Sequence, residues 1–430
     1  MNRRSLGVCV WAAMLAPLWS QSVPAPVLKV VTDRPEAIYR AGETATFQIE
    51  LRGASVPEVS AVVSQDGWKP QPERKIALQA GKGTLALPVT QPGFTLVRVS
   101  VPGQPALTAL ASAACDPTQI RPSLPIPEDF DAFWASRKAA LAQVPVKFTL
   151  SPVPSKAAAT DAFDVQVDCL GAPVSGYYAR PKAARPGQHP AVLLVHGAGV
   201  GGSSLGGALS WAEKGAGMLA LDINAHGLPN GRPAEFYQQQ ASGPLKDYRY
   251  VGRADREKNY FQGMFLRLVR AIDFLTAQPE WDGRTVIVYG SSQGGFQAFA
   301  AGALDPRVTF ICAGVPAGCD HSGTVVDRIN GWPKFVTLQE GRPVEAELQT
   351  ARYFDNVNFA QRCQARGAAV TVGFIDTTCP PTSVYAAYNA LSIPKKLHID
   401  PLAGHKNTPG AVKFMVDAAL AHAQEMKKGQ

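Results

Sequence analysis

TVIVYGSSQGGF, residues 285 to 296, is the segment in which the architecture of the chain is most clearly encoded. An apolar, β-branched run ends at Tyr289, a Gly-x-Ser-x-Gly pattern follows at residues 290–294, and a helix-prone run begins at Phe296. A tight strand-to-helix turn forces its middle residue into strained backbone geometry, so only small residues fit two positions away on either side. The setting therefore predicts a nucleophile elbow with Ser292 at its tip.

Strand-like runs occur along residues 163–167, 176–180, 191–195, 217–222, 285–289, 308–314, 369–375 and 396–399, and the fifth of them begins the segment above. From the third run onward they alternate with helical patterns, and the later ones are continuously apolar, as in strands that are covered on both faces. This pattern predicts an α/β fold with a doubly wound, mostly parallel sheet whose first strands are antiparallel.

A serine nucleophile needs a base that takes its proton and a carboxylate that orients the base. In folds with this elbow, the chain order is serine, acid, histidine. Asp376 directly follows the apolar run 369–375, and His405 lies in the loop after residues 396–399, so both fall at the carboxyl ends of consecutive strands. Asp320 is an alternative acid, and Asp400 is too close to His405 in sequence to come from a neighbouring strand.

Two backbone N–H groups are expected to bind the oxyanion. One belongs to Gln293, the residue after the nucleophile, and the other to Ala198 in the turn that follows the third strand. The glycines after Ala198 lack both the G-x-G-x-x-G spacing and the Lys-Ser/Thr ending of a phosphate-binding loop. No phosphate-binding loop is therefore predicted.

Residues 223–259 show no clear periodicity and are predicted to shape the substrate pocket, because structureless connections of this length are usually functional. A solvated insertion is the alternative. His226 and Tyr237 in this segment, together with Trp332, are the candidate substrate contacts.

Four regions are expected along the chain. Residues 1–22 have the basic, apolar and small-residue parts of a signal peptide, which predicts secretion or export to the periplasm, and an uncleaved anchor is the alternative. Residues 23–115 contain short alternating runs that favour a small accessory β-sandwich. A Pro-rich linker occupies residues 116–127, and the catalytic domain spans residues 128–430.

Composition narrows the classes of partner. The chain has 430 residues and a formal net charge of +8, but no run of five or six basic residues, so nucleic-acid binding is not expected. No window after the N-terminal segment reaches about 18 uninterrupted apolar residues, which argues against stable membrane insertion. The seven cysteines form no C-x-x-C motif and predict no metal site; free thiols and disulfides both remain open.

Several spaced motifs resemble the acetyl xylan esterase and cephalosporin-C deacetylase family of the α/β-hydrolase superfamily. The likeness extends from about residue 127 to the C-terminus. It rests on four motifs, which are Asp129-Phe130-Asp131-Ala132-Phe133-Trp134, Gly290-Ser291-Ser292-Gln293-Gly294, Asp376-Thr377-Thr378-Cys379-Pro380-Pro381 and Tyr385-Ala386-Ala387-Tyr388-Asn389.

The resemblance implies a serine carboxylesterase, active without cofactor, that removes small acyl groups from acetylated carbohydrates such as xylo-oligosaccharides through an acyl-enzyme. The matching positions make Ser292, Asp376 and His405 the triad and give the oxyanion hole to Ala198 and Gln293. The family often forms hexameric rings, which makes a homo-oligomer an expectation.

Three departures from the family pattern stand out. The family usually carries Arg-Gly-Gln after the fourth strand, where this chain reads Asp222-Ile223-Asn224-Ala225-His226-Gly227. Lys406 replaces a glutamate after the catalytic histidine, and Ala198 replaces an aromatic residue.

Two other functions are alternatives to an esterase. A serine peptidase of the prolyl-oligopeptidase type shares the fold and the triad order, but it needs an N-terminal propeller, for which about 90 residues of short strands are too few. A non-catalytic carbohydrate-binding protein with a relic hydrolase domain is the other alternative. The intact set of Ser292, Asp376 and His405 argues against it.

Overall fold

The computed structural model describes residues 25–214 and 217–428. The predicted signal peptide at residues 1–22 lies outside the described residues. None of the described helices combines the length and the hydropathy that a membrane span requires.

The N-terminal part of the chain forms a β-sandwich, as predicted. Its strands are β1 (Val27–Thr32), β2 (Ile38–Tyr39), β3 (Thr44–Arg52), β4 (Glu58–Gln65), β5 (Arg74–Ala77), β6 (Lys82–Pro88), β7 (Gly93–Val101) and β8 (Gln104–Cys115). They make one sheet of order β1-β3-β6 and another of order β2-β8-β7-β4-β5. Phe47 and Ile49 of the first sheet and Val97 and Val99 of the second are buried in the same cluster, which gives this part its own core.

The rest of the chain is built on a nine-stranded sheet of order β19-β18-β15-β14-β12-β13-β11-β10-β9. Its strands are β9 (Phe148–Pro152), β10 (Thr160–Val167), β11 (Val174–Pro181), β12 (His189–Val195), β13 (Leu219–Ile223), β14 (Trp281–Ser291), β15 (Phe310–Gly314), β18 (Gly367–Gly373) and β19 (Lys395–Asp400). The strands from β12 onward pair in parallel, and β9, β10 and β11 are antiparallel. The predicted mixed sheet is confirmed. A separate two-stranded sheet pairs β16 (Leu338–Gln339) with β17 (Arg342–Pro343).

Helices cover both faces of the large sheet. They are α1 (Phe130–Ala142), α2 (Leu205–Ala212), α3 (Ala234–Ser242), α4 (Tyr260–Thr276), α5 (Gln293–Leu304), α6 (Glu345–Ala351), α7 (Asn356–Arg362), α8 (Pro381–Ala390) and α9 (Pro409–Lys428). Along β12, Ala191 and Leu193 join the core formed with α4 and α5, whereas Val192 and Leu194 join the core formed with α2 and α9. Because side chains alternate along a strand, a strand that faces two cores is apolar throughout.

Two elements depart from the sequence expectations. Residues 223–259 are not structureless, since they contain α3 and a 3₁₀ turn at Tyr248–Tyr250. No residue of α3 is buried, so the helix has no apolar face packed on a core and its sequence lacks the periodicity that would predict it. The edge strand β9 was also missed, and its side chains are largely exposed.

The structure shows the state of the cysteines among the described residues. Six cysteines lie in this part of the chain, and all six are buried free thiols. Burial raises the pKa of the Cys312 thiol and of the Cys363 thiol, the latter to about 11. These thiols therefore stay protonated at neutral pH and act as small apolar groups in the core.

Candidate active site

Ser292 lies at the turn between β14 and α5, with φ 57° and ψ −120°. Non-glycine residues rarely adopt this region, and the surroundings explain why the turn is possible. A Cβ atom on Gly290 would lie 2.6 Å from the backbone carbon of Gly294, and one on Gly294 would lie 2.5 Å from the carbonyl oxygen of Val195. The two glycines therefore leave the room that the strained turn requires.

The structure brings the three predicted triad side chains together. The Ser292 hydroxyl lies 2.8 Å from His405 Nε2, and His405 Nδ1 lies 2.7 Å from Asp376 Oδ2. The Asp376 side chain is 1% exposed and that of His405 is 26% exposed, so the carboxylate is buried and the imidazole is partly accessible to solvent. The geometry suits proton transfer from the serine to the histidine, with the carboxylate fixing the tautomer.

A short loop orients Asp376 from behind. Its Oδ1 accepts the N–H groups of Thr378 and Cys379, each at 2.8 Å, which leaves Oδ2 for His405. The residues from Asp376 to Cys379 thus form a turn closed by the carboxylate itself, as aspartates often do in loops. We call residues 376–380, which precede α8, the acid loop.

The alternative acids bind elsewhere. Asp320 accepts from the backbone N–H and the hydroxyl of Ser123 and pairs with Arg328 at 3.0 Å. Asp400 accepts from the hydroxyl of Thr408 at 2.8 Å. Neither carboxylate is hydrogen-bonded to His405.

The loop that carries Ala198 lies against the nucleophile, because a Cβ atom on Gly197 would be 3.7 Å from the Cβ atom of Ser292. Within the described residues, the backbone N–H groups of Ala198 and Gln293 have no hydrogen-bond acceptor. Two unpaired N–H groups beside a nucleophile are what an oxyanion hole requires.

His226 is placed differently from a substrate contact. Its Nε2 donates to the carbonyl oxygen of Gly199 at 2.9 Å, and its Nδ1 accepts from the Tyr260 hydroxyl at 2.7 Å. Burial lowers the pKa of His226 to about 4, so the ring is neutral at pH 7. With both nitrogens occupied, His226 holds the loop next to Ala198 and offers no free polar atom to a ligand.

A second contact holds the other half of the same region. The Tyr248 hydroxyl donates to Gln293 Oε1 at 2.5 Å, and the Tyr248 ring packs edge-on against His226 with centroids 4.6 Å apart. Neither Tyr248 nor Tyr260 was among the site residues that the sequence predicted. The contacts join residues 34 and 45 positions apart, so no local pattern could reveal them.

The other two predicted substrate contacts are Tyr237 and Trp332. The Tyr237 hydroxyl donates to the carbonyl oxygen of Pro229 at 2.8 Å and lies 2.6 Å from the position that a Cβ atom on Gly202 would take. Trp332 is half-buried, and its backbone N–H donates to the carbonyl oxygen of Thr378 in the acid loop at 2.8 Å. Neither side chain is hydrogen-bonded to a triad residue.

A cavity of about 230 Å³ opens beside the loop of Ala198. Its lining residues are mostly small and are His196, Gly197, Gly199, Val200, Gly201, Gly202, Asn224 and Ala225. His196 Nε2 lies 2.5 Å from Asp222 Oδ1. Burial works to lower the pKa of His196, but the Asp222 carboxylate outweighs it and the pKa is raised. This second His–Asp pair has no contact with Ser292.

Among the described residues, one group of side chains is close enough to hold a metal ion, and it consists of Asp376, Cys379 and His405. Two of the three already bind each other in the triad. Burial raises the pKa of the Cys379 thiol well above its usual range, so the thiolate that a metal needs is disfavoured. A metal here would compete with the Asp376–His405 hydrogen bond.

Comparisons with known proteins agree with one another. A family model described as acetyl xylan esterase matches residues 117–424. Acetyl esterase Axe7A from Xylanibacter ruminicola is 31% identical over 389 residues, which cover 88% of this chain and 86% of that protein.

Solved structures give the same picture. An acetyl xylan esterase from Paenibacillus sp. R4 is 29% identical with a TM-score of 0.60, and the match covers 71% of this chain and 98% of the other. Acetyl xylan esterase 1 from Thermoanaerobacterium sp. JW/SL YS485 is 24% identical with a TM-score of 0.55, over 70% and 97% of the two chains. The second likeness supports the fold.

Proposed function

The chain belongs to the acetyl xylan esterase family, and from this premise we propose that it removes acetyl groups from acetylated xylo-oligosaccharides. The observation that carries the proposal is the hydrogen-bonded chain from Ser292 through His405 to Asp376 at a strained elbow. In this proposal Ser292 is the nucleophile, His405 the general base and acid, and Asp376 the residue that orients the imidazole.

The reaction proceeds in two acyl transfers. Ser292 Oγ attacks the acetyl carbonyl carbon while His405 Nε2 takes the hydroxyl proton, and Asp376 stabilises the imidazolium that forms. The tetrahedral intermediate collapses, the sugar alcohol leaves with the proton from His405, and an acetyl-serine remains. Water then attacks the acetyl-serine with His405 again as base, and acetate leaves as Ser292 regains its proton.

The oxyanion of each intermediate is assigned to the N–H groups of Ala198 and Gln293. His226 and Tyr248 support this assignment, since each holds one of the two segments that carry these N–H groups. Fixed donors that need no rearrangement during the reaction stabilise the developing charge more than water does.

A small substrate fits the glycine-rich cavity. Its volume of about 230 Å³ is below the roughly 300–1,000 Å³ of sites that hold drug-sized ligands. A short acyl group with one neighbouring sugar suits such a space better than a long acyl chain. Ester hydrolysis is also favoured over peptide hydrolysis, because the N-terminal strands form two small sheets and the family match is to esterases.

The test is hydrolysis of acetylated xylo-oligosaccharides and of p-nitrophenyl esters from acetyl to octanoyl, with a peptide p-nitroanilide alongside. We expect release of acetate, a decrease in kcat/KM of at least about tenfold from acetyl to octanoyl, and no cleavage of the peptide.

Ser292→Ala should lower kcat by at least about 10³-fold, as removal of a triad nucleophile does. Ser291→Ala is the matched control, because the Ser291 hydroxyl accepts from Asn407 and is not bonded to His405. A preference for octanoyl esters, or full activity of Ser292→Ala, would refute the proposal.

We also propose that the protein is exported. The basic and apolar N-terminal residues support export, with cleavage near Ser22. N-terminal sequencing of the protein from the culture medium or periplasm tests this, and an intact Met1 there would contradict it. A homo-oligomer stays a prediction from the family resemblance, and light scattering on the purified protein measures it.

A further inference from the structure

The tip of a hairpin in the β-sandwich reaches the catalytic part of the molecule. Residues Gln65 and Trp68 pair across a two-residue turn made by Asp66 and Gly67, which have φ of 50° and 86°. Asp-Gly is the favoured sequence for such a turn. Turn tips are usually exposed, yet Asp66 is 3% exposed, because it is inserted against the start of α8.

Asp66 provides the cap that α8 lacks. The helix begins at Pro381 after Pro380, and neither residue has a side chain that can accept a hydrogen bond from the first turn. Asp66 Oδ2 accepts from the backbone N–H of Thr382 at 3.0 Å and also from the Thr382 hydroxyl. A carboxylate at this position satisfies a free helix N–H and interacts favourably with the helix dipole.

The capped residue lies in the first turn of α8, directly after the acid loop. The loop is therefore tied at one end to β18 and at the other to α8, which Asp66 of the β-sandwich binds through Thr382. Phe94 reinforces the second tie, since its ring lies 4.9 Å from that of Phe374, two residues before the acid, and 5.5 Å from that of Tyr385 in α8. The backbone N–H of Asp66 donates to the carbonyl oxygen of Phe94, which links the two contacts.

The far end of α8 is held in a similar way. Asn389 Nδ2 donates to the carbonyl oxygens of Pro117 and Ile120, both at 2.9 Å, in the segment between the sandwich and the large sheet. Both ends of the helix that follows the acid loop are therefore bound by residues from outside the nine-stranded sheet and its helices.

From these contacts we propose that the Asp66 turn of the β-sandwich supports catalysis, and that Asp66 is a positioning residue that holds the acid loop so that Asp376 meets His405. The inference rests on the proposed function, because it assumes that Asp376 orients the catalytic base. It assigns the sandwich a role in the reaction instead of an independent carbohydrate-binding role. Small displacements in a catalytic array are costly, and about 1 Å can lower a rate by about 10²-fold.

The test compares Asp66→Ala with Asp66→Asn in the full chain, using p-nitrophenyl acetate. Asp66→Ala removes the acceptor, and we expect kcat to fall at least tenfold while KM changes less than threefold. Asp66→Asn keeps an oxygen that can accept from Thr382, so it should recover kcat to within about threefold of the wild type. Both are compared at a temperature where circular dichroism shows the protein folded.

Val97→Ala is the matched control. Val97 is fully buried on the same strand as Phe94, but it packs in the core of the sandwich and not against the acid loop. It should lower the unfolding temperature and leave kcat unchanged. If Asp66→Ala keeps wild-type kcat, or if Val97→Ala loses as much kcat as Asp66→Ala, the positioning role is wrong.

Ser292→Ala in the same series separates the two proposals. Loss of activity in Ser292→Ala together with normal kcat in Asp66→Ala overturns the positioning role alone. Activity that survives Ser292→Ala overturns the proposed function as well.

Discussion

His226 holds the loop next to Ala198, and we expect it to act on the reaction through this loop. Replacing it with alanine removes the donor to Gly199 and leaves the Tyr260 hydroxyl without its acceptor. We expect His226→Ala to lower kcat by about 10- to 100-fold with KM changed less than threefold, because an oxyanion contact acts on the transition state. His226→Gln keeps an amide donor and should be less impaired.

His422→Gln is the control for this measurement, since His422 is buried against Thr309 and is remote from the triad in its contacts. It should leave kcat unchanged. A rise in KM with unchanged kcat in His226→Ala would instead assign His226 to substrate binding, as the sequence had suggested.

Residue roles differed in how far the sequence could reveal them. Ser292, Asp376 and His405 could be predicted because each lies after an apolar run in the order serine, acid, histidine, with Asp320 left as the alternative acid. Asp66 could not be identified, because its partner Thr382 is 316 residues away and an Asp-Gly turn is normally read as an exposed hairpin tip. Long-range contacts of this kind leave no periodic signal.

The turn at Ser292 is the element whose geometry the sequence specifies most tightly, and a substitution at Gly294 tests it. Gly294→Ala places a Cβ atom 2.5 Å from the Val195 carbonyl oxygen. Overpacking against backbone should lower the free energy of unfolding by about 3 kcal/mol or more and abolish esterase activity. Urea unfolding and the kcat of p-nitrophenyl acetate hydrolysis measure both effects.

Gly206→Ala is the matched change in a helix, because nothing lies within 4 Å of its added Cβ atom. It should raise the free energy of unfolding by about 0.5–1 kcal/mol, since alanine is the better helix former. Equal stability of the two variants would show that the turn at Ser292 does not need Gly294.

The helices and strands that have buried faces were the ones that the sequence predicted. The strands β12, β13 and β18 are buried along their whole length and appear as mostly apolar runs. The exposed strand β9 and the exposed helix α3 were missed for the complementary reason, since an element without a buried face has no apolar period.

At the scale of the whole molecule, buried neutral histidines couple folding to pH. Burial lowers the pKa of His226 and His422 to about 4 and that of His321 to about 3. In the unfolded chain these rings bind protons near pH 6.5, so acid favours unfolding and stability falls from about pH 6.5 toward pH 4. Asp66 acts in the opposite sense, because burial raises its pKa to about 7 and its contribution is lost as the pH rises through 7.

Because the pH ranges in which these groups affect stability overlap, we use His422→Gln to isolate the contribution of His422. The variant lacks the ring that takes up a proton on unfolding, so its free energy of unfolding should rise relative to the wild type by about 2 kcal/mol between pH 7.5 and pH 5. Urea unfolding of both proteins at the two pH values measures the difference. A difference that stays constant between the two pH values would mean that His422 is protonated in the folded protein, despite its burial beside Thr309.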